Sequence, residues 1–368
     1  MTVNSIRLQG FRNYTDETIN LSPETNVIRG ENAQGKTNLL EAVYLLTCGH
    51  GFRTRLDREL IGFNTNCARI VAEIFAQGRP QIIEIRFGRG IKKQVLVNGV
   101  AKSTSELSEI LRVVLFCPDD LNMIRDGAKA RRRFMDMAIS QLRPSYSALI
   151  TEYTRLCEHK RRILCDCREK PSLLYALEEY SDGMNRCGAK IIRYRAAFTK
   201  RLAETARPIH SEFSGSGEKL SIAYETVSTV SDPFAPASEI YKQLCEHTES
   251  HRRAEIASGN LLTGIHKDDL NIQINEIAAR QFASQGQTRT AALSLKMAER
   301  EISLQDTGEV PILLLDDVLS ELDAKRRDFV LNRIGSGQTL ISCCEDEDIK
   351  AKTGGRVITV KNGRCLSS

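Results

Sequence analysis

The sequence predicts an α/β fold, with split mixed β-sheets beside helices, interrupted by an inserted helical arm. Three observations carry this. Apolar residues alternate through most of the first 117 positions, helical periodicity replaces the alternation from about 119 to 210, and β/α character returns after 259. The expected division is 1–117, half of an α/β head; 118–258, a mainly helical and basic arm; and 259–368, the other half of the head.

In order, Val3, Ile6 and Leu8 mark a first strand. Asn26-Val27-Ile28-Arg29 forms another, ending at Gly30, and 38–46 has apolar residues at helical spacing. Residues 68–75, 81–87 and 94–97 read as strands, the last closed by Asn98-Gly99, a tight-hairpin dipeptide. Beyond Pro118, Arg, Lys, Glu, Leu and Ala dominate. Ser214-Gly215-Ser216-Gly217 breaks the helices, 219–227 alternates like a strand, and one more helix runs to about Ala257. The chain finishes with strands at 311–315, 339–342 and 357–360, a helix following the first of them.

A chain of 368 residues with 41% hydrophobic and 27% charged residues excludes disordered and collagen-like classes. The start, MTVNSIRLQGFRNY, lacks a signal-peptide core, and no stretch reaches the length of a membrane span. With eleven cysteines and no export signal, the expectation is a cytoplasmic protein without a disulfide framework. Cys165 and Cys167, with Cys157 and Cys187 nearby, lack paired zinc-knuckle spacing and read as thiols packed around helices. The net charge of +5 lies wholly in 151–207, which holds 13 basic and 8 acidic residues while the remainder balances. That is where a polyanion would bind.

Gly30-Glu31-Asn32-Ala33-Gln34-Gly35-Lys36-Thr37 has the G-x-x-x-x-G-K-[ST] form. The glycines let backbone N–H groups turn inward toward phosphates. Lys36 adds a charge, the following helix its positive end, and Thr37 a hydroxyl for Mg²⁺. Pro311-Ile312-Leu313-Leu314-Leu315-Asp316-Asp317 supplies the complementary acidic strand: Asp316 to hold the metal through water, Asp317 to polarise an attacking water. The catalytic candidates are thus Lys36, Asp316 and Asp317, and the metal candidates Thr37 and Asp316. The two motifs lie 280 residues apart, a separation that points to an ATPase with an inserted arm. Ser284-Gln285-Gly286-Gln287 opens a helical run and reads as a second anion cradle, closing on the ATP of another protomer. Ser320-Glu321-Leu322-Asp323 follows and can present Asp323 across a two-fold interface.

The order of these motifs resembles the ATPase heads of the ABC superfamily, in the branch of the chromosome-maintenance (SMC) proteins; Gly35 to Ala42 is similar to that branch in particular. Within it the chain is most similar to the RecF family of bacterial recombination mediators. The residues that carry this are Leu8-Gln9-Gly10-Phe11-Arg12-Asn13-Tyr14, Phe52-Arg53-Thr54-Arg55 and Phe116-Cys117-Pro118-Asp119-Asp120-Leu121. Arg131-Arg132-Arg133-Phe134-Met135-Asp136 and Gly264-Ile265-His266-Lys267-Asp268-Asp269-Leu270 add to it. The resemblance implies an ABC-type ATPase head that binds ATP and Mg²⁺ and dimerises around ATP. It implies a weak, DNA-stimulated ATPase that grips single-strand/double-strand gap junctions and releases them on hydrolysis. It also implies support of recombinase loading and the SOS response, with RecO and RecR as partners, and Arg12 approaching the nucleotide. Pro118-Asp119-Asp120 stands where ABC enzymes carry a glutamine, and 339–344 contains no switch histidine. His266 is a candidate replacement, but a structural histidine bonded to Asp268 or Asp269 is the expected reading. DNA contacts are expected from Lys160, Arg161, Arg162, Arg193, Arg195, Lys200 and Arg201, without base reading. Two rival readings stand beside this one: the nucleotide-binding subunit of a transporter, and a DNA-binding scaffold for which ATP is structural glue.

Overall fold

The computed structural model describes residues 1–54, 56–215, 217–344 and 353–367. Arg55 and Ser216, which belong to segments read above, lie outside them. The chain divides into two compact units, one of residues 1–121 with 299–368 and one of residues 122–298.

The first unit holds two six-stranded sheets. The antiparallel sheet is built from β1 (Thr2–Phe11), β2 (Tyr14–Asn20), β4 (Cys67–Ala76), β5 (Arg79–Gly88), β6 (Ile91–Val97) and β7 (Val100–Lys102), in the order β2-β1-β4-β5-β6-β7. The Asn98-Gly99 turn joins β6 to β7 with φ of 50° and 80°, the left-handed pair a two-residue hairpin requires.

The second sheet runs β15-β14-β3-β13-β12-β8. Its strands are β3 (Thr25–Arg29), β8 (Val113–Phe116), β12 (Ile312–Asp316), β13 (Thr339–Cys343), β14 (Arg356–Lys361) and β15 (Arg364–Ser367). All are parallel except the β14–β15 pair. β12 and β13 are buried at every residue, as expected of parallel strands covered on both faces. The helix after β3, α1 (Lys36–Cys48), buries Leu39, Leu40, Ala42, Val43, Tyr44, Leu45 and Leu46, and touches β1 as well as β8, β12 and β13. A helix apolar on nearly all sides belongs between two layers.

The second unit contains α4 (Ala128–Leu142), α5 (Pro144–Asp166), α6 (Leu177–Ser214) and α7 (Ala237–Ser258). They precede or pack around a small sheet of β9 (Leu220–Glu225), β10 (Asp269–Ile274) and β11 (Ile277–Ala278). The short helices α2 (Leu107–Ile110), α3 (Pro118–Asn122) and α8 (Ala279–Phe282) and the longer α9 (Gln285–Thr307) and α10 (Ala324–Arg333) complete the order. The sequence ends the arm at 258, whereas this unit continues to Ala298. The reason is non-local: β9 pairs in register with β10, from Leu220↔Ile274 to Glu225↔Asp269, which binds 269–274 to the arm.

Two basic-and-acidic motifs meet inside this unit as scaffold. Arg131 donates from Nε and Nη2 to the two carboxylate oxygens of Asp269 (2.7 and 2.8 Å) and from Nη1 to the carbonyls of Met123, Ile124 and Asp126. Asp268, fully buried, takes Arg195 Nη1 at 2.7 Å, Thr226 Oγ1 at 2.8 Å and the Tyr224 hydroxyl. Asp136 takes Arg195 and the Tyr146 hydroxyl. His266 is therefore not bonded to Asp268 or Asp269, whose oxygens these groups occupy; its Nδ1 lies 3.3 Å from the Tyr153 hydroxyl.

Burial pulls the His266 pKa down to about 4, and lowers those of His210 and His247 for the same reason. An unfolded imidazole titrates near 6.5, so between about pH 6.5 and 4 the unfolded chain holds a proton that folded His266 refuses. The contribution of this group to stability is fully present above pH 6.5 and is lost as the pH drops through this window, by about 1.4 kcal/mol per pH unit for a fully shifted histidine. Urea midpoints taken at pH 7.5 and 5.5 should show this loss, and His266→Gln should reduce it.

Candidate functional site

β3, β13 and β12 are adjacent and parallel, so their carboxyl ends, the usual site position in such sheets, lie at one edge. The glycine loop leaves β3 there and Asp316 closes β12 there. Gly30 is required by close approach: a Cβ on it would stand 2.3 Å from the Val360 carbonyl oxygen. Gly35, at φ 121°, is the residue before α1, and a Cβ there would meet the Asn13 side chain at 2.8 Å. Ala33 holds φ 65° in the same loop.

The loop is supported from below by residues that sequence reasoning did not count as part of the site. The buried Tyr14 hydroxyl donates to the Gly35 carbonyl at 3.0 Å, and Asn13 Nδ2 to the Gln34 carbonyl at 2.8 Å. Asn38 Nδ2 donates to Asn13 Oδ1 at 2.8 Å. Gly363 N and Asn362 N donate to Gln34, which ties the loop to the β14–β15 turn. The signal was present in the Arg12-Asn13-Tyr14 run, but only the fold shows that it underlies the loop.

Lys36 is buried. Its Nζ donates to the carbonyls of Gly30 (2.7 Å) and Glu31 (3.1 Å) and to Cys344 Sγ (3.4 Å), whose thiol in turn reaches Asn32 Oδ1. Thr37 Oγ1 donates to Asp316 Oδ1 at 2.9 Å across the 279-residue gap between them. Burial raises the Asp316 pKa, opposed by the hydrogen bonds from Thr37 and Ser342. Hard oxygen donors from a hydroxyl and a carboxylate brought together beside a phosphate loop fit a Mg²⁺ ion, whose positive charge would favour the ionised Asp316. Asp317 is half-buried at φ 51°, and its carboxylate has no hydrogen-bond partner among the described residues.

Glu41, fully buried on α1, receives Arg12 Nη2 at 2.8 Å and Arg53 Nη2 at 3.0 Å. Arg12 Nη1 also donates to the Glu59 carbonyl. Arg12 is thus committed to this ion pair. Arg53 is half-exposed, and its charge favours the ionised form of Asp316; it is a site neighbour that the sequence did not single out. Asp120 Oδ2 accepts from Cys117 N at 2.9 Å, so it caps the start of α3. Asp323 is the N-cap of α10, accepting from Arg326 N at 3.0 Å and from the Arg326 guanidinium.

In the second unit, Ser284 immediately precedes α9. Gln287 N donates to Ser284 Oγ at 3.2 Å and Ser284 N to Gln287 Oε1 at 2.9 Å, a reciprocal capping box. Gln287 Nε2 then donates to Glu218, which lies 3.2 Å from the buried His210. Gln285 and Gly286 form the first turn between them.

Two of the DNA candidates are corrected by burial. Lys160 is 1% exposed and pairs at 2.7 Å with the equally buried Glu255, and Arg195 is 2% exposed between Asp136 and Asp268. Charges that face inward on helices cannot meet a phosphate backbone. Arg161, Arg162, Arg193 and Lys200 are exposed, and Arg201 is half-buried. The structure adds Lys190 and Arg207, exposed on α6 in line with Arg193 and Lys200 at spacings of three and seven. None of these four has an ion-pair partner among the described residues. They span about 26 Å of one helix face.

No helix among the described residues is long and apolar enough to cross a membrane. The sequence pattern of the RecF/RecN/SMC N terminal domain family matches residues 2–364. The DNA replication and repair protein RecF of Acetivibrio thermocellus is 37% identical over 367 residues, covering 99% of each chain. That of Clostridioides difficile is 34% identical over 370 residues, covering all of this chain and 98% of the other. A solved structure of the recombination mediator protein RecF with ATPrS, described as part of the RecFOR pathway, superimposes with a TM-score of 0.92 at 30% identity. It covers all of this chain and 98% of the other. An Smc head from Pyrococcus furiosus, at 16% identity and a TM-score of 0.55 over 99% and 96% of the two chains, shares the fold.

Proposed function

The chain belongs to the RecF/RecN/SMC N-terminal-domain family, and within it to the RecF proteins, and from that membership we propose that it is an ATP-gated DNA clamp of replication and recombinational repair. The observation that carries the ATPase half of this reading is the joining of Thr37 to Asp316 beside an Asp317 carboxylate that has no hydrogen-bond partner among the described residues. ATP is held by the loop from Gly30 to Thr37, with Lys36 as the cation. Bound Mg²⁺ supplies charge neutralisation of the phosphates, held by Thr37 and Asp316. Asp317 accepts a proton from, or orients, the attacking water.

The Ser284-Gln285-Gly286-Gln287 turn presents the Ser284 hydroxyl hydrogen and the positive N-terminal end of α9 to the ATP of a second copy, so two protomers enclose two nucleotides. Asp323 lies in the same interface. The family supports gap-junction DNA as the ligand, slow hydrolysis as the release step, and recombinase loading with the SOS response as the setting. The RecFOR pathway of the structural relative supports RecO and RecR as partners.

DNA is held through phosphates by Lys190, Arg193, Lys200 and Arg207 of α6, with Arg161 and Arg162 on α5 as further contacts. Fluorescence anisotropy of labelled gapped DNA tests the clamp: binding should be strong with ATP and weak with ADP, and equal binding in both would refute ATP gating. The salt dependence tests the surface. If Arg193 and Lys200 each neutralise a phosphate, the slope of log affinity against log salt falls by up to about 1.8 in the double alanine variant. An unchanged slope would remove α6 from the interface.

A further inference from the structure

β13 lies between the strand that launches the phosphate loop and the strand that ends in the carboxylate pair, so its last residues separate the two halves of the site. Ser342 is paired in register with Asp316 on one side and Ile28 on the other, and is 1% exposed. Its hydroxyl does two things. It donates to Asp316 Oδ1 at 2.9 Å, and it accepts the Asp317 backbone N–H at 2.8 Å. Asp317 sits at φ 51° and ψ 10°, left-handed backbone that an L-residue keeps only when neighbouring groups hold it there. The hydroxyl that fixes this N–H also fixes the carboxylate one residue earlier.

We infer that Ser342 is the positioning residue of the hydrolytic pair: one hydroxyl orients Asp316 toward Thr37 and locks the left-handed turn that aims Asp317. Ser342 reaches the reaction only through these two residues. Alanine in its place leaves the Asp317 N–H without its acceptor and Asp316 Oδ1 with Thr37 as its remaining donor, so the Asp317 peptide is free to rotate. Threonine keeps the hydroxyl, and its branched side chain suits a buried strand. The inference rests on the proposed reading of Asp316 and Asp317 as the hydrolytic pair.

The test uses the full chain with Ser342→Ala, Ser342→Thr and Asp317→Asn, and two measurements: amide hydrogen exchange without nucleotide, resolved at Asp317, and steady-state ATP turnover with Mg²⁺. In Ser342→Ala, exchange at Asp317 should accelerate by about tenfold or more while β12 stays protected. Its kcat should fall about tenfold, with KM within about twofold. Ser342→Thr should restore both readings to within about twofold of the parent. A Ser342→Ala chain with parental kcat and a protected Asp317 amide overturns the inference. So does a general loss of protection across β12 and β13 that threonine does not rescue, which would make Ser342 a packing residue. Parental turnover in Asp317→Asn removes the hydrolytic pair itself, a failure distinct from the other two.

Discussion

Asp317→Asn is expected to lower ATP turnover by about a hundredfold or more while ATP affinity stays within about threefold and ATP-driven dimers persist. The two adjacent carboxylates are not equivalent. Asp316 Oδ1 already receives Thr37 and Ser342, and the residue is buried at the end of β12. The neighbouring carboxylate has no partner among the described residues and is half-buried at the sheet's carboxyl edge, where a water can reach it. Asparagine preserves size and backbone but cannot accept a proton, and loss of a positioned base removes about 10² to 10⁴ in rate. Phosphate release assays with sedimentation of the ATP-bound variant measure both properties. Unchanged turnover would favour ATP as structural glue.

Lys36→Met should abolish ATP binding, by more than about a hundredfold, and with it the ATP-specific part of DNA binding. Lys36 is the cation of the loop and is buried among carbonyls that lock it in place. Its ammonium is held close to the loop, ready for a triphosphate, and methionine fills similar volume without charge. Competition with labelled ATP reads the first effect and anisotropy of gapped DNA the second. Circular dichroism of the variant excludes unfolding. Retained ATP-specific DNA binding would place the gate elsewhere than the phosphate loop.

The α/β class, the phosphate loop and the acidic strand were legible in the sequence because each rests on local pattern: period-2 or helical spacing, fixed glycines, and an apolar run ended by carboxylates. The family was legible for the same reason, through short contiguous motifs. What the motifs do was less so. Arg131-to-Asp136 and Gly264-to-Leu270 carry resemblance strongly, yet inside the second unit Arg131 and Asp269 are spent on one another, and Asp136 and Asp268 on Arg195. Lys160 and Arg195 look like any basic residues of a helical arm until helix packing turns them inward, while Lys190 and Arg207 stand out only on the exposed face of α6.

The sequence by itself determined that this chain carries a phosphate-loop motif, because such a cradle is made by neighbouring residues whose backbone freedom and charge are written consecutively. Only the tertiary structure decided which side chains complete that cradle. Tyr14 and Cys344 reach it from β2 and from the residue following β13, and Ser342 on β13 holds the Asp316 carboxylate beside it, across separations of up to hundreds of residues. Pairing of parallel strands and the burial of ion pairs are long-range consequences of closing the chain, and no local pattern records them.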